Sequence, residues 1–337
     1  MENLDWGNLG FGYHKTNFNV RCYWREGKWG EIEMTDSESV NIHIAATCLH
    51  YGQEAFEGLK AYRGTDGKIR LFRVNENAKR MQASGAYLGM QAPSVELFTE
   101  MVEKVVLANA DFIPPYGTGA SLYIRPVLVG SGPQVGVKPA DEFLFMIFVT
   151  PVGPYFKTGF NPIDVIVDRD HDRAAPLGTG HVKAGGNYAA SLISGEEAHQ
   201  KGYPSVLYLD SKEKKYIDEC GAANFFAIRE GSYITPSSHS VLPSITNMSL
   251  KTLAEDLGLK LECRAVEFAE LATFEEAGSC GTAAVISPVG SVYDPEDGKV
   301  YVFNDRKSGP WTTKLYELLR GIQLGEKEDK HGWVTIL

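Results

Sequence analysis

His181-Val182-Lys183-Ala184-Gly185-Gly186-Asn187-Tyr188 sets one lysine beside two glycines, just ahead of a helical pattern. A surface lysine needs no such neighbours, because water satisfies its ammonium. A lysine that forms an imine with an aldehyde needs a confined, partly dry site, where its pKa falls and its amine becomes a nucleophile. The glycines would let backbone approach a ligand closely, and Tyr188 could set a phenol beside the same ligand. On these neighbours alone, a solvated lysine near a helix start stays open, since lysine is seldom buried.

Downstream of this stretch the pattern reads as a helix over 187–200, strands at 206–209 and 225–228, a helix over 247–257 capped by Gly258, a strand at 283–287 and a last helix over 313–324. Upstream, 18–24 and 31–34 read as a hairpin around Glu26-Gly27-Lys28, and 60–63 and 69–72 flank the turn at Thr65-Asp66-Gly67-Lys68. Helices are expected over 75–88 and over 95–109, where Val95, Phe98, Val102, Val105 and Val106 recur at helical spacing. Strands at 121–129 and 142–149 are apolar on nearly every position, as in strands buried on both faces. Glycine and proline punctuate 151–159, and new strand signal follows at 163–167. The balance is α/β (α+β) in two domains: a smaller one over 1–154, an interdomain loop over 155–163 and a larger one over 164–337. No internal repeat, dinucleotide fingerprint or phosphate-binding P-loop is present.

The 33 basic against 43 acidic residues give a net charge of −10, and no Lys/Arg run offers a nucleic acid a footprint. The longest fully apolar run, 143–149, is far short of a membrane span. The start lacks the basic and apolar regions of a secretory signal. Five cysteines at wide spacings form no CxxC, so neither a disulfide framework nor a zinc site is indicated. The chain reads as a cytoplasmic protein with reduced thiols, without a metal, membrane or nucleic-acid partner.

Four further places could carry chemistry. Glu219, in Ile217-Asp218-Glu219-Cys220-Gly221, is either an exposed charge ending a hairpin strand or a carboxylate facing a protonated pyridine nitrogen, which keeps that ring an electron sink. Leu242-Pro243-Ser244-Ile245-Thr246 leads into a helix whose first N–H groups suit an anion; an ordinary capped loop is the alternative. Thr282 could add a hydroxyl there and Arg73 a forked cation. Tyr123 and Arg125 share one face of an apolar strand. An arginine so placed needs an anion, from a structural Asp or Glu or from a carboxylate substrate.

Read in order, YGQEAFEGLK (51–60), RLFR (70–73), YIRPVLVG (123–130), KAGGNY (183–188), ECGAAN (219–224), LPSIT (242–246) and Gly281-Thr282-Ala283 resemble branched-chain amino-acid aminotransferases. These are pyridoxal-phosphate enzymes of fold type IV, the D-amino acid aminotransferase-like fold, and the resemblance covers nearly the whole chain. It implies that Lys183 is the Schiff-base lysine and proton shuttle, and Glu219 the partner of the pyridine nitrogen. It sets Tyr188 against the cofactor phenolate and Leu242 against its ring. Arg73, the backbone of Ile245 and Thr246, and Thr282 would hold the phosphate of pyridoxal 5'-phosphate (PLP). Tyr51, Phe56, Tyr123, Tyr155 and the backbone of Ala283 would shape the substrate pocket, with Arg125 receiving the side-chain carboxylate of glutamate. The implied reaction moves an amino group between leucine, isoleucine or valine and 2-oxoglutarate, in a homodimer. Fold type IV relatives such as D-amino acid aminotransferases and aminodeoxychorismate lyases share the lysine and glutamate but generally lack YIRPVLVG; a PLP-binding protein without turnover is the remaining alternative. Ser244 and Asn247 stand where the family commonly has glycine and arginine. Ala284 and Ser287 replace a CxxC of mammalian mitochondrial relatives, so thiol control of that kind is not expected.

Overall fold

The computed structural model describes residues 4–156 and 159–337; residues 1–3, and 157 and 158 in the expected interdomain loop, lie outside it. The chain forms two compact units. One comprises Met1–Tyr155, Val182–Gly185 and Gly321–Leu337, the other Phe156–His181 and Gly186–Arg320.

The first unit is built on an antiparallel sheet of β1 (Asn19–Arg25), β2 (Lys28–Trp29), β3 (Glu33–Thr35), β4 (Glu54–Phe56), β5 (Leu59–Arg63), β6 (Ile69–Phe72), β7 (Ser121–Gly130) and β8 (Phe143–Val152), with the last strand of the chain, Val334–Ile336, on β6. β7 and β8 are the two apolar runs, and they pair along their whole length, from Ser121 opposite Val152 to Gly130 opposite Phe143. β8 therefore continues through Pro151, where the sequence suggested an end. Pro126 interrupts β7 without harm: it falls where the neighbour of β7 changes from β5 to β4, so its missing N–H breaks no ladder bond. Helices α1 (Thr47–Tyr51), α2 (Val74–Tyr87) and α3 (Val95–Ala108) complete the unit. The expected stripe of α3 is its buried face, where Phe98 packs 5.6 Å from Phe145, and Ser94 caps the helix by accepting from the Leu97 amide. α1 and β4 are too short for the sequence to show a period.

The second unit contains β9 (Ile163–Asp168), β10 (Ser205–Leu209), β11 (Ile217–Cys220), β12 (Ala223–Arg229), β13 (Ser232–Pro236), β14 (Lys260–Arg264), β15 (Glu276–Gly281), β16 (Val285–Tyr293) and β17 (Val300–Val302). Pairing runs β11-β10-β9-β16-β15-β12, and β11 also pairs with β12, which closes these strands into a ring; β13 and β14 extend from β12. After residue 184 the helices are α4 (Gly185–Ala190), α5 (Leu192–Gln200), α6 (Ile245–Asp256) and α7 (Pro310–Leu324), and the last strand is β18. The single helix expected over 187–200 is thus two, broken at Ser191. The strand expected at 283–287 begins only at Val285, because Thr282-Ala283-Ala284 turn the chain between β15 and β16. The two-domain mixed fold read from the sequence is the one observed.

Candidate active site

In the first unit, Lys183 is fixed by its backbone. Its amide donates to Ser84 Oγ at 3.1 Å and its carbonyl accepts from the Phe56 amide at 3.1 Å. The side chain is half-buried, with Nζ 4.8 Å from the centre of the Phe56 ring. The adjoining glycine has a reason other than ligand approach. The Gly185 amide donates to the Glu54 carboxylate, and a Cβ on Gly185 would overlap Glu54 Oε1. Burial raises the Glu54 pKa, against the pull of the Gly185 N–H and of the Arg125 charge.

Arg125 lies over the same ring, with Cζ 4.8 Å from the centre of Phe56, and it donates to the Tyr123 hydroxyl at 3.1 Å. The period-two expectation for Tyr123 and Arg125 therefore holds. The structural Asp or Glu does not: among the described residues no carboxylate lies within ion-pair distance of Arg125, and its buried Nε has no hydrogen-bond partner. Gly58 makes room for this group, since a Cβ there would overlap the Tyr123 hydroxyl. Phe11 packs edge-on against both Tyr123 (5.1 Å) and Tyr155 (5.3 Å). Tyr51 is placed differently; on exposed α1, its hydroxyl donates to the Val135 carbonyl.

Arg73 joins β6 to α2 with φ 51° and ψ 38°, a left-handed conformation that costs an L residue about 1–2 kcal/mol. Its amide donates to the Trp333 carbonyl at 2.8 Å, and its guanidinium lies 4.9 Å from the Trp333 ring centre. Burial pulls the guanidinium pKa below its ordinary value.

In the second unit, Glu219 sits on β11 at 2% exposure, not at a wet strand end. Its Oε1 accepts from the Leu242 amide at 2.7 Å and from Asn224 Nδ2 at 3.3 Å, while Arg173 stands 3.6 Å from Oε2. A buried carboxylate is costly unless paired and hydrogen-bonded, and this one is both. Asn224 is itself held: Asn247 Nδ2 donates to its Oδ1 at 3.1 Å, and the Tyr233 hydroxyl donates to Asn247 Oδ1 at 2.8 Å. Asn247 is therefore a buried strut. Burial pushes the neighbouring Cys220 thiol up to about 11, so it stays uncharged beside the carboxylate.

α6 begins two residues earlier than its period suggested. Ser244 is the cap, accepting from the Asn247 amide at 3.2 Å, so Ile245 and Thr246 become the first helical residues and their amides lack helical acceptors. Leu242 lies just before them and is buried. Thr282 and Ala283 lie in the turn that enters β16, followed by Val285 at φ 66°, an unusual value for a β-branched residue and a mark of a constrained loop. Tyr188 is half-buried on α4.

Glu54, Arg173, Asn224, Asn247 and Trp333 had no assigned role in the sequence. Arg173 was hidden in the charged run Asp168-Arg169-Asp170-His171-Asp172-Arg173, whose natural reading is a solvated loop.

The sequence profile of the family described as amino-transferase class IV matches residues 54–292. The chain thus belongs to the class IV aminotransferases. It is 49% identical to the branched-chain-amino-acid aminotransferase of Haemophilus influenzae, across 99% of both chains. The crystal structure of the Escherichia coli branched-chain amino acid aminotransferase superposes with TM-score 0.80 at 30% identity, over 95% of this chain and 99% of that one. The branched-chain amino acid aminotransferase of Thermobaculum terrenum, solved in its PLP form, shares the fold, with TM-score 0.77 at 24% identity over 96% and 98%. Within its class, the chain belongs to the branched-chain-amino-acid aminotransferases.

Proposed function

We propose that this protein uses pyridoxal 5'-phosphate to move an amino group reversibly between L-leucine, L-isoleucine or L-valine and 2-oxoglutarate. One observation carries the reading. Lys183 and Arg125 lie over a single ring, each 4.8 Å from the centre of Phe56, and Arg125 has no carboxylate at ion-pair distance among the described residues. Aromatic walls accept a branched apolar side chain, and a guanidinium without a protein anion accepts the second carboxylate of glutamate. Tyr51, Phe56, Tyr123, Tyr155 and the backbone of Ala283 are the proposed remainder of the substrate pocket.

The donor set fits the cofactor. The Ile245 and Thr246 amides at the start of α6, the Arg73 guanidinium and the Thr282 hydroxyl suit its phosphate. Glu219, with Arg173 3.6 Å from its Oε2, suits a protonated ring nitrogen; Leu242 suits the ring face and Tyr188 the phenolate. Bound pyridoxal phosphate supplies an aldehyde and an electron sink for charge left at the substrate Cα. Lys183 Nζ takes the proton from that Cα, and because its backbone is tied to Phe56 and Ser84, only the side chain needs to move. Glu219 holds the proton on the ring nitrogen throughout.

The proposal includes a domain division at 1–154, 155–163 and 164–337, a homodimer and a cytoplasmic location. The change of compact unit after Tyr155 supports the boundary near 155, while Val182–Gly185 and Gly321–Leu337 group with the first unit. Exposed Ile44, Leu49, Val135 and Val137 support the homodimer. The five free cysteines, three of them buried, support the cytoplasmic location. Incubation of the holoprotein with L-leucine and 2-oxoglutarate should yield glutamate and the branched 2-oxo acid in equal amounts. Turnover of D-alanine without turnover of L-leucine would replace this reading with that of a D-amino acid aminotransferase.

A further inference from the structure

We propose that Trp333 is the positioning residue that presents Arg73 to the cofactor phosphate, so that phosphate recognition depends on a ring acting through the arginine. This rests on the reading of Arg73 as a phosphate contact.

Arginine carries many rotamers, and a phosphate contact made by a wandering guanidinium loses much of its value to ordering. Here both ends of the residue are restrained by one partner. The backbone of Arg73 is in the left-handed region, which an L side chain leaves unless its surroundings insist. What insists is the hydrogen bond from its amide to the Trp333 carbonyl at 2.8 Å, with the Glu76 amide donating to the Arg73 carbonyl at 2.9 Å. The side chain of the same tryptophan then lies 4.9 Å from the guanidinium carbon, within cation–π range.

Sheet register makes the arrangement obligatory. β18 pairs with β6 through Val334 opposite Phe72, Thr335 opposite Leu71 and Ile336 opposite Arg70. The same antiparallel register carried one step further sets Trp333 opposite Arg73. Trp333 does not wander either. Phe72 meets its ring edge-on at 5.7 Å and His331 lies nearly parallel to it at 4.6 Å. The strand beyond is anchored by the Val334 amide donating to Asp329 Oδ2 at 2.8 Å and the Leu337 amide donating to the Ile69 carbonyl at 3.0 Å.

The test compares two ligands that differ only in the phosphate. Apoprotein is titrated calorimetrically with pyridoxal 5'-phosphate and, separately, with pyridoxal. Trp333→Leu should weaken pyridoxal phosphate roughly tenfold while changing pyridoxal less than about twofold. Trp333→Phe, which keeps a ring face, should restore most of the preference. Equal loss for both ligands would mark Trp333 as merely structural and overturn the proposal, as would no loss for either. Arg73→Ala separates the two levels of the argument. If it erases the preference while Trp333→Leu keeps it, the positioning role alone falls. If Arg73→Ala keeps the preference, the phosphate assignment itself is wrong and the proposal falls with it. Should Trp333→Leu not fold, His331→Ala removes the parallel neighbour from an exposed position. It should give a smaller loss confined to pyridoxal phosphate; its absence counts against the proposal.

Discussion

Around Lys183 and Arg125 the neighbours are rings, whereas around Glu219 they are hydrogen-bond donors. Lys183 Nζ and Arg125 Cζ each lie 4.8 Å from the centre of the Phe56 ring, and Arg125 also lies over Tyr123. The carboxylate receives an amide, a side-chain amide and a guanidinium, and the asparagine among them is braced by two further side chains. Attraction to a ring face is weakly directional, so a cation can swing across it at little cost. Hydrogen bonds to a buried charge are directional and dear to lose. The first setting suits the proton-moving role proposed for Lys183, and the second suits the fixed place proposed for Glu219 opposite the ring nitrogen.

That contrast can be broken most severely at its centres. Lys183→Ala should lower the transamination rate by roughly four orders of magnitude in single-turnover assays. Borohydride reduction of the wild-type holoprotein should label the peptide containing Lys183; a label elsewhere would end the assignment. Glu219→Gln keeps the shape and removes the charge, and a rate loss of roughly 10²–10³ is expected by analogy with other preorganised charge stabilisation. It also removes one of the two carboxylates near the buried Arg173, Asp218 being the other, and a lower melting temperature in calorimetry is expected. An unchanged rate would mean that Glu219 does not face a protonated nitrogen.

Milder changes sharpen the contrast. Asn247→Ala removes the acceptor of the Tyr233 hydroxyl and the donor to Asn224 Oδ1, so denaturant titration should show a loss of about 1–3 kcal/mol. Combined with Asn224→Ala, its effect should be less than additive, because both sit in one chain of bonds. On the ring side, Phe56→Leu should raise KM for glutamate roughly fivefold and that for leucine less, since leucine never engages Arg125. Additive losses at the strut, or equal losses at the ring, would erase the distinction.

The smallest effect concerns pH. Burial raises the Glu54 pKa, so the folded state binds a proton there more readily than the unfolded chain does. Stability is then lost as pH rises from the ordinary glutamate value through the raised one. Glu54→Gln, whose amide oxygen can still accept from Gly185, should remove this dependence. Melting curves of the two proteins should converge at the acid end and separate above it, with the variant the more stable.

The long elements were legible because their signals were long. The stripe of α3 and the unbroken apolar runs of β7 and β8 each repeat over a whole element. Elements of three to six residues, such as β4 and α4, offer no period to read. The proposed site divides the same way. Lys183 and Glu219 stand in local patterns that draw attention, whereas Arg173 and Trp333 contact partners far away in sequence, and nothing local announces a long-range neighbour. Gly185 is subtler: its local pattern suggests ligand approach, whereas Glu54, a side chain 131 positions away, leaves no room for a Cβ there.

The lysine segment belongs to the first compact unit although the residues on either side of it belong to the second. The first unit is consequently assembled from three separated pieces of chain. A fragment ending at Tyr155 would lack both the carbonyl that the Phe56 amide needs and the strand that borders β6. During synthesis, residues 1–155 must wait until nearly the whole chain has emerged before their sheet is bordered and their core sealed. Such long-range closure favours slow folding. It also ties the placement of Lys183 to completion of the unit that carries it.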